Sequence, residues 1–218
     1  PLIKALGDSD NWEYPVGSGS SLVSALGELG DKRAVQPLIK FLEEGGHGER
    51  AAAAANALGK LGDTKAVEPL TEFLEKNYLY ESGSAAAKSL EELGWKPENE
   101  KQKVVWLITK GDWEPLVELG EAAIGPLIKK CFDSGEARKI LARMGKPAIY
   151  PLIKEMKKMA KHPFDKKRKE RQSIYIRSIF EKMSARDVGE VYEELELYDD
   201  ADEWYSSHGM LKEAARVR

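Results

Sequence analysis

The chain has 218 residues, with 34 lysines and arginines against 37 aspartates and glutamates, so the molecule as a whole has no charge imbalance that would draw it to nucleic acid or an anionic membrane. Its apolar residues, 42%, are interleaved with 33% charged ones, and no apolar run approaches the roughly 18 residues of a membrane span. A single cysteine, Cys131, rules out an internal disulfide framework and a multi-cysteine zinc site and suits a reducing compartment, so a cytoplasmic location is expected.

The opening residues, PLIKAL, start in mid-phrase with no basic n-region or cleavage site and read as the cut edge of a longer array. From Ala25 to Leu42 the chain reads ALGELGDKRAVQPLIKFL, and from Ala57 to Leu74 it reads ALGKLGDTKAVEPLTEFL. A weaker copy, SLEELGW, runs from Ser89 to Trp95, and the closing glycines Gly30, Gly62 and Gly94 are 32 residues apart. That period is a pair of short helices.

Within each copy Leu22, Ala25, Leu26 and Leu29, then Ala54, Ala57, Leu58 and Leu61, form a stripe that gives a helix one buried face. Gly30 and Gly62 close those helices in the left-handed region, and Asp31 and Asp63 cap the next helix of each pair. Pro37 and Pro69 lack an amide hydrogen, so they open that second helix. Val35, Leu38, Ile39 and Leu42 supply its apolar face. A helix pair cannot bury both stripes alone, so the pairs must stack into one continuous core.

With further PLIK phrases at Pro1, Pro126 and Pro151, the pattern resembles the HEAT-like repeats of the phycobilisome-lyase type over residues 1–94 and again over 115–156. The resemblance implies an all-α fold, an α-α superhelix (HEAT-like solenoid) with a helical C-terminal cap. Residues 1–156 are expected to form the solenoid, N-terminally truncated and interrupted by an irregular insert over 95–120. Pro97 and Gly111-Asp112 mark breaks in that insert, whose short helices carry Trp106, Trp113 and Leu116 inward. Residues 157–218 form a C-terminal helical extension. Its Ala201, Tyr205, Gly209 and Ala214 spacing resembles a tetratricopeptide-like hairpin, a polar-faced end-piece of the kind that stops a solenoid from stacking.

In a curved stack the inner helices approach more closely, and small residues permit it. The Ala-rich helix AAAAANALG is therefore assigned to the concave side and the helices carrying Phe41 and Phe73 to the outside, in agreement with what the resemblance implies. Opposite the buried stripe lie Ser20, Ser24, Glu28, Asn56, Lys60, Ser84, Lys88 and Glu92, with Lys139 and Arg143 further on, a mixed-charge floor for a partner. The matching turns NWEYPVGS and NYLYESGS place Trp12, Tyr14, Tyr78 and Tyr80 on one rim. These aromatics either face a protein partner or fold back as plugs between repeats.

Chemistry-bearing constellations are missing. His47, His162 and His208 have neither a nucleophile nor a metal-ligand spacing, no phosphate-cradling glycine motif succeeds a strand, and Cys131 occupies the inward position of Leu42. No catalytic, metal or cofactor residues are therefore expected. Lys157 to Gln172 holds eight basic residues, but Asp187 to Glu203 holds nine acidic ones and would neutralise them where the two face each other. The expected function is a monomeric, non-enzymatic scaffold that binds another protein on its concave face. The family's namesake implies an alternative, a chaperone or lyase for a bilin chromophore, with Lys88, Lys139 and Arg143 meeting its propionates. A HEAT-like nucleic-acid-binding protein stands third, disfavoured by the charge balance.

Overall fold

The computed structural model describes residues 18–44, 48–161 and 166–217, with backbone alone for 18–19, 159–161 and 166–171. Among the described residues the chain forms fourteen α-helices and two 3-10 turns, with no strand, as the helical periodicity requires. The helices pack as two compact units, divided between Asp112 and Trp113.

The first unit holds α1 (Ser18–Leu29), α2 (Val35–Glu44), α3 (Glu49–Leu61), α4 (Val67–Asn77), α5 (Glu81–Glu92) and α6 (Glu100–Lys110). Its core is a ladder at the repeat spacing. Leu26, Leu58 and Leu90 of the odd helices are buried, as are Leu38 and Leu70, and Leu42 and Leu74, of the even ones. The Gly-Asp corner works as its chemistry demands. Gly62 sits at φ 63°, a conformation costly for any residue with a Cβ, and its N–H donates to the carbonyl of Gly59 at 3.1 Å. Asp63 then accepts the backbone N–H of Lys65 at 3.0 Å and starts the 3-10 turn Thr64–Ala66 that leads into α4. Asp31 does the same for Arg33, whose guanidinium hydrogen-bonds the Asp31 carboxylate and holds its pKa down to about 2. Replacing Asp63 by Ala is expected to cost about 1 kcal/mol, read by denaturant unfolding, because it strips a cap without touching the core. An unchanged midpoint would refute that role.

Two glycines without a turn to make explain how the odd helices stack. A Cβ on Gly27 would lie 2.8 Å from Cα of Ala57, and one on Gly59 would lie 2.6 Å from Oγ of Ser89. Gly27 thus lets α3 approach α1 at backbone distance, and Gly59 makes room for the Ser89 side chain, which donates from its buried hydroxyl to the carbonyl of Ala55 at 2.8 Å across the contact. The even helices, carrying Phe41 and Phe73 at the same register, barely touch one another. The odd layer, α1, α3 and α5, is therefore the more tightly stacked one. In the third copy the glycine is replaced by Glu91, which reaches Lys110 of α6 at 2.6 Å, and close stacking ends there.

The second unit holds α7 (Pro115–Glu118), α8 (Glu121–Lys130), α9 (Gly135–Met144), α10 (Lys146–Lys161), α11 (Lys166–Phe180), α12 (Ala185–Glu194), α13 (Tyr198–Ser207) and α14 (Leu211–Val217). Ala201 and Tyr205 are buried, Gly209 turns at φ 72° between α13 and α14, and Ala214 is buried behind it. The ring of Tyr205 lies against Gly189 of α12, where a Cβ would come within 2.1 Å of it. Trp204 donates its indole N–H to the carbonyl of Ala185 at 2.9 Å and meets Phe180 edge-on at 6.0 Å.

One expectation is corrected, that for Leu29. The two compact units divide at Asp112, where Gly111 terminates α6 at φ 70°, and in the second the helix that carries Pro151 packs with α11 and α12. Pro126 and Pro151 are the sixth residues of α8 and α10. Pro37 also lies sixth from Lys32, and what differs is the turn, 3-10 over Lys32–Ala34 in the first unit and α-helical in the second. Leu29 is 63% exposed whereas its counterpart Leu61 is buried, since α3 has packed neighbours on both sides and α1 has one among the described helices.

A candidate protein-docking face

The outward side of α1, α3 and α5 carries the residues expected of a floor. Helices in register, one repeat apart, align their side chains in rows. Ser24, Asn56 and Lys88 make one row and Glu28, Lys60 and Glu92 the next, and all six are exposed. Ser84 of α5 is exposed beside them. Lys60 approaches Glu28 across the helix gap at 3.5 Å, a loose, solvated pair. Lys88 and Glu92 have no ion-pair partner among the described residues, so one free cation and one free anion stand a single turn apart on α5.

The other expected members go elsewhere. Ser20 is nearly buried and donates to the carboxylate of Glu49 at 3.2 Å, tying the start of α1 to the start of α3, so it is a link within the unit and not open floor. Lys139 and Arg143 belong to the second unit. There Lys139 pairs with Glu136 at 2.6 Å, and Arg143 grips Glu114 through two bonds of 2.6 and 2.9 Å, which holds the Glu114 carboxyl below its ordinary range.

The rim divides as well. Trp12 and Tyr14 lie outside the described residues. Tyr78 is buried, its hydroxyl without a hydrogen-bond partner among the described residues and its phenol pushed up to about 12 by desolvation, so it is a core plug and not a rim residue. Beside it, the bare Cα of Gly83 lets the first turn of α5 rest on the chain at Asn77 and Tyr78, where a Cβ would lie 2.2 Å from the Asn77 carbonyl oxygen. Tyr80, two residues on and at the N-cap of α5, stays 45% exposed at the end of the floor.

Other chemistry is sparse. Among the described residues no three His, Cys, Asp or Glu side chains gather as they would around a metal ion. No described helix is long and apolar enough to cross a membrane. Cys131 is buried, and its thiol is pushed up to about 12. His47, His162 and most of the basic run lie outside the described side chains. The acidic segment finds its described cations in Lys146, which meets Glu190 at 3.1 Å and Glu194 at 3.3 Å, and in Arg216, which meets Glu193 at 2.6 Å.

Paired helices repeating at a fixed interval, stacked through small residues on one layer and larger ones on the other, define an α-helical repeat protein. Residues 1–91, less than half of the chain, match the family described as HEAT repeats, so that stretch is similar to HEAT repeats. No curated protein matches the chain. Sequence periodicity missed Gly27 and Gly59. Their signal was present as a glycine recurring inside a helical stripe with no turn to make.

Proposed function

We propose that the chain is a non-enzymatic scaffold that docks another protein on the inner face of its first unit. The observation that carries this reading is the register of that face, where two rows of exposed polar side chains repeat at the period of the buried leucines behind them. A rigid stack with an evenly spaced polar face and an aromatic residue at its edge offers pre-organised contacts, so a partner loses little freedom on ordering the surface. Mixed charge, Lys60 and Lys88 against Glu28 and Glu92, favours a protein over a polyanion. The phrase ALGxLGDxxAVxPLxxFL supports the phycobilisome-lyase subtype of HEAT-like repeat. The single buried thiol fits a reducing, cytoplasmic setting, and the mostly polar end helices fit a monomer. A bilin-handling role is the weaker reading, since Lys139 and Arg143 are already held by Glu136 and Glu114.

With a partner isolated by pull-down on the intact chain, Lys60→Glu together with Lys88→Glu should weaken binding by about tenfold or more. The melting temperature should stay nearly constant, because surface changes shift stability by about 0.5 kcal/mol or less. Lys40→Glu, on the outer helix α2, should leave affinity unchanged. Tyr80→Ala should lower affinity without lowering stability. Binding abolished by the outer substitution and untouched by the inner pair would reverse the assignment of faces.

A further inference from the structure

The second unit carries an open groove along α8 and α10, reaching α12 at one end. It has two adjoining stretches, one floored by Ile124 and Tyr150 and the other by Ile128, and both are lined by Gly125 and Pro151. One end is bounded by Glu121, Lys146 and Glu194, and the other by Lys129, Lys154, Lys157 and Lys158 with Glu155 among them.

Gly125 is the first sign that the groove has a use. It lies inside α8, where glycine disfavours the helix relative to alanine, and neither a left-handed turn, as at Gly62, nor a close packing contact, as at Gly59, accounts for it. Its φ is not positive, and an added Cβ would meet nothing within 4 Å, unlike those on Gly27, Gly59, Gly83 and Gly189. Packing does not ask for a glycine there. The residue before the repeat's proline is Gln36, Glu68, Gly125 and Tyr150 in turn, so at one position in four the side chain is missing and the floor lies bare.

Tyr150, at the equivalent position of the next repeat, is the second sign. It is 51% exposed, and it lines the same groove. Charge supplies the third. Lys146 at one end is held by Glu190 and Glu194, and Lys158 reaches Glu155 at 3.9 Å, but Lys129, Lys154 and Lys157 have no ion-pair partner among the described residues. Three free cations thus border one end of an apolar channel whose other end is acidic.

We propose that this groove binds an acidic peptide segment of a partner protein, with one aromatic or aliphatic side chain seated over Gly125 beside Tyr150 and its carboxylates reaching Lys129, Lys154 and Lys157. An apolar anchor in a bare slot supplies affinity by desolvation, and the lysines set direction and specificity. A long polyanion fits the charge less well, because it would run onto Glu121 and Glu194, and it makes no use of the apolar floor. The site is separate from the inner face of the first unit, and neither proposal depends on the other.

The probe is a random dodecapeptide display library selected on the full chain, with the recovered sequences then synthesised, labelled with fluorescein and titrated by polarisation. Selected peptides should combine one aromatic or aliphatic residue with two or more acidic ones. Gly125→Trp should fill the slot and weaken them by about tenfold or more, with Lys154→Glu plus Lys157→Glu acting similarly. Gly125→Ala, which leaves the slot nearly open, should retain binding, as should Lys60→Glu plus Lys88→Glu in the first unit. If Gly125→Trp melts early, Tyr150→Ser replaces it as the test of the floor. Recovery of peptides without acidic residues, or indifference of binding to the floor and lysine variants, overturns the proposal. So does equally tight binding of single-stranded oligothymidine or of phosphatidylserine vesicles that only the lysine reversals abolish, since that would mark a simple anion surface.

Discussion

Leu58→Ala should destabilise the first unit by about 2–5 kcal/mol, because it empties a fully buried site in the middle helix of the stack. Leu58 lies on α3, which has α1 packed on one side and α5 on the other, so the void can be closed only by moving helices already held close, α1 through the Gly27 contact and α5 through Ser89 against Gly59. Little relaxation is possible, which argues for the upper part of the range. In a unit of this size such a loss lowers the melting midpoint by roughly ten degrees or more. Native-state hydrogen exchange should show amides over residues 35–94 opening first, with those around Val188 unchanged, since the second unit has its own core. Equal acceleration in both units would contradict the division at Asp112.

The second large effect belongs to the pair Gly189 and Tyr205. Gly189→Ala drives a methyl group into the Tyr205 ring, 2.1 Å from Cε1 and 2.2 Å from Cζ, and the ring has nowhere to go. Its hydroxyl donates to Glu193 at 2.7 Å, and the same carboxylate oxygen pairs with Arg216 at 2.6 Å, so the ring is pinned at its far end. Overpacking at such a site costs about 1–3 kcal/mol. Tyr205→Ala alone should cost more, about 3–5 kcal/mol, by deleting a fully buried ring. The double variant is the decisive measurement. With the ring gone the new methyl has space, so the two losses should fall well short of adding. Additive losses in denaturant unfolding would show that Gly189 is there for some reason other than the ring.

How the sequence led to the fold is clear where the information is local. Gly30, Gly62, Asp31 and Asp63 were legible because a helix end and its cap are decided within four residues, and the leucine ladder was legible because burial tracks the helical period. What depends on contact between repeats was not. Gly27 and Gly59 look like weak points in a helix until the neighbouring helix is laid against them. Tyr78 and Tyr80 are indistinguishable as letters, yet one is buried and the other 45% exposed, a difference set by packing. The boundary at Asp112 was hidden because the PLIK phrase persists on both sides of it, so similarity of sequence joined what packing separates. In the docking face the exposed rows came from the stripe opposite them, whereas the pairing of Arg143 with Glu114 joins residues 29 apart and left no local mark.

Cys131 has a practical consequence. Its thiol is sealed in the second unit and held in the protonated form, so an alkylating reagent can reach it only through excursions in which that unit comes apart. These 218 residues therefore carry one intrinsic clock, and it is placed in the second unit. Labelling kinetics at Cys131, monitored by mass, time the breathing of the second unit with no engineered probe, while the first unit stays silent in the same experiment. Ligands for the groove on α8 and α10 should slow that clock, and ligands for the face on α1, α3 and α5 should leave it running, which makes a single sulfur atom an assay for which half a newly found binder holds.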